Sequence, residues 1–210
     1  MLTLEKAQDW YPKDDPVHGF DHIVRVYRLA ERIGEEEKAD LEIVRAAVLL
    51  HDVAGKQKGG DRNIHQYAAA SFAGEVLASE GWKPERISAV QHCIKAHRFR
   101  DNREKPSTIE AMVVFDADKL DAIGAIGIIR AVAYAVQAGA PLIRKPSLSF
   151  IETGIRESNE PYTPYHEYVF KLRNIKERLF TKAGKKIAEE RHQYMENFFE
   201  QLSSEIEGKR

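Results

Sequence analysis

The chain has 210 residues, 31% of them charged, with a formal net charge of -1 and a single cysteine, Cys93. That length suits one sizeable core and leaves two full domains cramped. The charge balance argues against a global field for nucleic acid or a membrane surface. One thiol excludes an internal disulfide framework and fits a reducing cytosol. No apolar run approaches the roughly 20 residues of a membrane span, and Met1-Leu2-Thr3-Leu4-Glu5-Lys6 carries an early acid without a leader pattern. The expectation is a cytoplasmic chain with no membrane partner and no stable nucleic-acid partner, as a monomer or a homodimer.

Residues from about 2 to 10 read as a short helix, followed by a turn at Tyr11-Pro12-Lys13-Asp14-Asp15-Pro16. Asp21 is the candidate cap of a helix from about 22 to 33, which Gly34 ends. His22, Val26, Leu29, Ala30 and Ile33 recur there at helical spacing, so His22 lies on the inward stripe. Asp40 can cap the next helix, whose apolar run Ala46-Ala47-Val48-Leu49-Leu50 ends in His51-Asp52, and Gly55 suits the left-handed position past a helix end. An unpaired buried carboxylate is costly, so this pair calls for a partner. A divalent cation qualifies, because imidazole nitrogen and carboxylate oxygen are ordinary ligands for one.

The loop Gly55-Lys56-Gln57-Lys58-Gly59-Gly60 reads as a cationic lip for an anionic substrate, or as a solvated loop; it lacks the Walker spacing. Helices at about 63–80 and 84–97 carry His65 near the start of the first, and His92 and His97 late in the second. Asp101 to Ser107 is a loop. A long apolar helical pattern then runs from about Thr108 to Gly139, placing Val114, Asp118, Asp121 and Ala125 on one face. Carboxylates on an apolar face are informative; their plain structural reading is a set of buried salt bridges, with Arg25 or Arg28 as partners. Gly139-Ala140-Pro141 breaks that helix, and residues 140–163 form a long connection that is a candidate lid. Two amphipathic helices follow, at about 164–180 and 182–207, the second with an apolar stripe of Tyr194, Phe198, Phe199 and Leu202 for a core or dimer face. No stretch shows sustained β alternation. The chain is expected to be all-α.

His18-Gly19-Phe20-Asp21-His22, then Leu49-Leu50-His51-Asp52, then Asp116-Ala117-Asp118-Lys119-Leu120-Asp121-Ala122-Ile123-Gly124-Ala125-Ile126-Gly127, in this order, resemble the HD superfamily of metal-dependent phosphohydrolases. The third string, with Ala188-Glu189-Glu190-Arg191-His192 through Phe198-Phe199, looks like a bacterial subfamily of small single-domain members, some of them pyrophosphatases of deoxynucleoside triphosphates. The resemblance spans nearly the whole chain. It implies one HD-type helical domain over residues 1–210, with a metal-site core at about 18–125 and a helical extension at about 126–210.

Carried over to this sequence, the resemblance makes His22, His51, Asp52 and Asp118 the ligands of one divalent ion (Mn, Mg, Ni, Co, Fe or Zn), and leaves a second ion open. His65, His92 and His97 then become candidates for binding phosphate or donating a proton, with Lys56 and Lys119 neutralising phosphate charge. The catalytic set is Asp52, Asp121, Lys56 and His92, with Asp121 holding the attacking water or a ligand histidine, or else pairing with Lys119 or an arginine. Arg98 and Arg100 are a further phosphate-facing pair or simply solvated, and His18 gates the site or caps a turn. Cys93 is a poor nucleophile candidate, because no base or orienting partner can be assigned to it. The implied substrate is a phosphorylated small molecule, a nucleotide above all. Alternatives are a phosphodiesterase, a 5'-nucleotidase, or a non-catalytic nucleotide-sensing module.

Overall fold

The structure, a computed structural model, describes residues 2–12, 19–53, 65–98 and 104–210. Among these residues there are helices and no strands, as the sequence analysis expects. No single helix among them is long and apolar enough to cross a membrane. The chain packs as two compact units, Met1–Asp118 with Leu179–Gly184, and Lys119–Arg178 with Lys185–Arg210.

In the first unit, α1 (Leu4–Gln8), α2 (Phe20–Glu36), α4 (His65–Ser79) and α5 (Pro84–Ala96) all pack on α3 (Leu41–Leu50). Seven of the ten residues of α3 are buried, so it is a core helix on every side rather than an amphipathic one. Burying each of its Leu and Val side chains is worth about 1.5–3 kcal/mol. Its start is fixed as expected: Asp40 Oδ1 accepts from the amides of Glu42 (3.0 Å) and Ile43 (3.3 Å), and Arg86 grips both carboxylate oxygens at 2.8 and 3.1 Å.

The helix before it differs from expectation at both ends. Gly19 rather than Asp21 is its N-cap, and it continues through Gly34 to Glu36. It closes with the amide of Lys38 on Glu35 O (3.3 Å) and that of Ala39 on Gly34 O (2.9 Å), with Lys38 itself left-handed at φ 58°. The terminator is thus a lysine four residues beyond the glycine.

The 108–139 pattern is two helices, α6 (Ile109–Leu120) and α7 (Gly124–Gln137). Gly124 has φ +75°, and a Cβ on Gly127 would lie 2.2 Å from the carbonyl oxygen of Ala122, so both glycines belong to this break. Asp121 therefore falls after the end of α6 and does not continue the face of Asp118. Within the first unit, buried Asp116 on α6 accepts from the amides of Phe180 (3.0 Å) and Thr181 (2.8 Å) and from the Thr181 hydroxyl (2.6 Å). One carboxylate anchors the segment Leu179–Gly184.

In the second unit, α9 (Pro164–Phe170) packs on α7 and on α8 (Leu148–Thr153). The helix expected over 164–180 stops at Phe170, where Lys171 leaves the helical region (φ -127°, ψ -54°), and two 3₁₀ turns follow. The 140–163 connection contains α8 and is tied by buried Glu160, which accepts from the Ser147 amide (2.6 Å), the Ser147 hydroxyl (2.8 Å) and the Glu157 amide (2.8 Å), and meets His166 Nε2 at 2.9 Å. Helix α10 (Lys182–Ile206) matches its expected span. Four of its buried positions, Ala188, His192, Met195 and Phe199, follow the i, i+4, i+7, i+11 rule. Of the expected stripe only Phe199 is buried, stacked on Tyr168 with centroids 4.2 Å apart, while Tyr194 is 54% exposed.

Candidate metal centre

The last turn of α3 explains how the site is built. The final carbonyls of a helix lack intrahelical donors, and here side chains supply them. His51, at the C-cap, meets Val48 O through Nδ1 at 2.8 Å, and the buried Tyr11 hydroxyl donates to Leu49 O at 3.0 Å. A carbonyl oxygen only accepts, so Nδ1 of His51 carries the proton and Nε2 presents a lone pair. That Nε2 is buried and has no hydrogen-bond partner. Burial pushes the His51 imidazolium down to about pKa 4, so the ring is neutral at physiological pH.

Around this nitrogen stand the carboxylates. Asp52 Oδ2 is 3.7 Å from His51 Nε2, and Asp118 Oδ1 from α6 is 4.0 Å away. Asp118 Oδ1 also lies 3.4 Å from Nε2 of buried His22, in the first turn of α2. Two groups of ligand atoms, each mutually within 4.8 Å, result: His22, His51 and Asp118, and His51, Asp52 and His97. His51 is common to both. A buried acceptor nitrogen facing two carboxylates is a costly arrangement without a cation, so the donor set fits a divalent metal ion.

His97 follows the same local rule as His51. Its Nδ1 is 2.5 Å from Ile94 O, which leaves Nε2 facing Asp52 Oδ1 at 3.6 Å. Two acceptors at that distance require a proton or a cation between them. His65, the first residue of α4, places Nε2 3.2 Å from the same Asp52 oxygen. Burial pushes the Asp52 carboxyl up, yet the imidazoles of His51, His65 and His97 outweigh it and hold it well below the usual carboxylate range. Burial and the charge of Asp52 also push Tyr11 well above its ordinary pKa.

The residues expected to act here are thus partly brought together. His22, His51, Asp52 and Asp118 converge, and His65 and His97 join them at Asp52. His92 is in neither ligand group; its Nε2 accepts from the Ser107 amide (3.2 Å) and stands 2.9 Å from the Ser107 hydroxyl. Asp121 is buried and accepts from Arg130 Nη1 at 2.8 Å, the arginine pairing expected as its structural alternative. Lys119 is half-buried in the last turn of α6. Lys56, the rest of the glycine-lysine loop, His18 and Arg100 lie outside the described residues. Tyr11 donates to the end of α3 and Arg98 Nη1 lies 2.8 Å from His65 Nδ1, two contacts that the sequence does not announce. Tyr11 stood in a proline-flanked turn, and the i to i-3 spacing of a terminal histidine to a free carbonyl was the one available signal for the ring orientations.

An all-α unit that delivers imidazole nitrogens and carboxylate oxygens to one buried point defines a helical domain with a site for a metal ion. The family model that matches is the HD domain, over residues 19–123, and the chain belongs to that family. It is 34% identical over 194 residues to YpgQ of Bacillus subtilis, a match covering 91% of this chain and 85% of that protein. The fold is that of HD-superfamily hydrolases. The crystal structure of Bacillus subtilis YpgQ in complex with ADP superposes with a TM-score of 0.74 at 33% identity, covering 99% of this chain and 100% of that one. An HD-superfamily hydrolase from Bacillus thuringiensis gives a TM-score of 0.74 at 30% identity, over 97% and 94% of the two chains.

Proposed function

We propose that the protein is a divalent-metal-dependent phosphohydrolase whose substrate is a nucleotide, with His22, His51, Asp52 and Asp118 as the metal ligands. The observation that carries this reading is the partnerless, buried Nε2 of His51 set against the carboxylates of Asp52 and Asp118. The ADP bound by YpgQ, similar over nearly the full length of this chain, supports a nucleotide.

A divalent ion held by these groups supplies an acidified water and a positive charge against phosphoryl oxygens. The chain's own residues set the stage for it. Asp52 stays ionised because the imidazoles around it hold its carboxyl well below the usual range, and His51 stays neutral because it is buried, so both keep ligand form at neutral pH. Nδ1 of His51 and of His97 are tied to backbone carbonyls, which fixes the rings before any ligand arrives. Lys56 is the cation assigned to phosphate; His65 is engaged by Arg98 and Asp52, His92 by Ser107 and Asp121 by Arg130, so these three serve their own partners. The bond assigned is the phosphoanhydride between the α and β phosphorus atoms of a deoxynucleoside triphosphate, with water adding to give a monophosphate and pyrophosphate.

The test is a panel of nucleoside mono-, di- and triphosphates incubated with Mn²⁺ and either the wild type or Asp52→Ala, with products separated by chromatography. The expected result is turnover of triphosphates to monophosphates that falls by at least about 100-fold in the variant. Release of orthophosphate, or cleavage of monophosphates, would move the assignment to another bond. No turnover by wild-type protein that holds metal would overturn the hydrolase reading in favour of a sensing module.

A further inference from the structure

We propose that Arg98 is a positioning residue of the metal centre, acting through His65 to set the hydrogen bonding of Asp52. The inference rests on the metal-centre reading above and adds a residue to it. His65 begins α4 and Arg98 follows the end of α5, and these two helices pack along each other. Arg98 Nη1 lies 2.8 Å from His65 Nδ1. A guanidinium carries only donors and stays charged in proteins. Nδ1 must therefore accept, which places the ring proton of His65 on Nε2. That N–H then donates to Asp52 Oδ1 across 3.2 Å.

The consequence separates histidines that look alike in the sequence. His51 and His97 are held with the proton on Nδ1 and a lone pair on Nε2; His65 is held in the opposite tautomer. A protonated Nε2 has no lone pair, so His65 does not ligate an ion in this arrangement. It occupies one lone pair of Asp52 Oδ1 instead, and directs Oδ2 toward His51 Nε2 at 3.7 Å. Without the arginine, the ring could turn a lone pair toward the carboxylate, and Asp52 would lose the donor that orients it. Partners that orient a metal ligand in this way are typically worth roughly 10–100-fold in metal affinity.

The test has two readouts, neither of them catalytic. Long-range ¹H–¹⁵N correlations on metal-free, ¹⁵N-histidine-labelled protein report which nitrogen of His65 carries the proton, and calorimetry reports Mn²⁺ affinity. The wild type should show His65 protonated on Nε2. Arg98→Met should mix or reverse that signature and weaken Mn²⁺ binding by roughly 10–100-fold. Arg98→Lys, which restores a donor, should recover most of both. In a His65→Gln background, Arg98→Met should cost nothing further, because the ring through which it acts is gone. Circular dichroism on each variant separates these effects from unfolding. A proton on Nδ1 of His65 in the wild type, unchanged Mn²⁺ affinity in Arg98→Met, or additive losses in the double variant would each overturn the proposal. Failure of the wild type to bind Mn²⁺ would instead overturn the metal-centre reading itself, and this proposal with it.

Discussion

Which nitrogen of an imidazole bears the proton decides whether the ring offers a ligand or a donor, and in this protein helix ends make that choice. A histidine one residue past the last turn can reach the carbonyl three residues back, as His51 does with Val48 and His97 with Ile94. The carbonyl at the end of α3 that His51 does not use, that of Leu49, takes the Tyr11 hydroxyl. Tyr11 is 6% exposed, so Tyr11→Phe leaves a carbonyl without that donor in a dry environment. We predict a loss of about 1–3 kcal/mol in stability, measured by urea denaturation; an unchanged midpoint would show that the bond contributes nothing net. His22, His51, Asp52 and Asp118 came as a set from the ordered strings of the family resemblance, since an acid on an apolar helical face did not by itself separate Asp118 from Asp121, which pairs with Arg130. Tyr11 was not legible in the sequence, since a hydroxyl that caps a distant helix leaves no periodic mark. Arg98 was legible as a phosphate-facing or solvated charge, and its contact with His65 was not.

At the scale of elements, starts were easier to read than ends. Asp40 announces α3 because a short acceptor before an apolar run is a specific chemical device. The end of α2 lies beyond Gly34, because the chain closes the helix with Lys38 rather than a glycine in a left-handed conformation. A non-glycine residue there costs on the order of 1–2 kcal/mol, offset in part by the extra freedom glycine has when unfolded. Lys38→Gly should therefore raise stability by about 0.5–1 kcal/mol, read as a higher thermal midpoint. A lower midpoint would mean that the lysine side chain contributes more than its backbone strain. The split between α6 and α7 was hidden for a related reason. Apolar periodicity carries on through Asp121, Ala122 and Ile123, and the break shows only in the pair Gly124 and Gly127, which also suit a tightly packed helix.

For the whole molecule, the all-α class followed from the absence of period-two alternation, and the family from three ordered strings that fall within or just beyond residues 19–123. The division into two units left no compositional trace, because its boundary at Asp118 lies inside α6 and the chain returns to the first unit only for Leu179–Gly184. That return depends on Asp116, two residues before a proposed metal ligand in the same helix. The claim on which the rest of the functional reading depends is the metal centre in the first unit. The most direct test is equilibrium dialysis of wild type and His51→Gln against Mn²⁺, with bound metal determined by elemental analysis and helical content by circular dichroism. We predict that the wild type retains metal and that the variant, equally helical, loses it. Equal metal content in the two proteins would contradict the account.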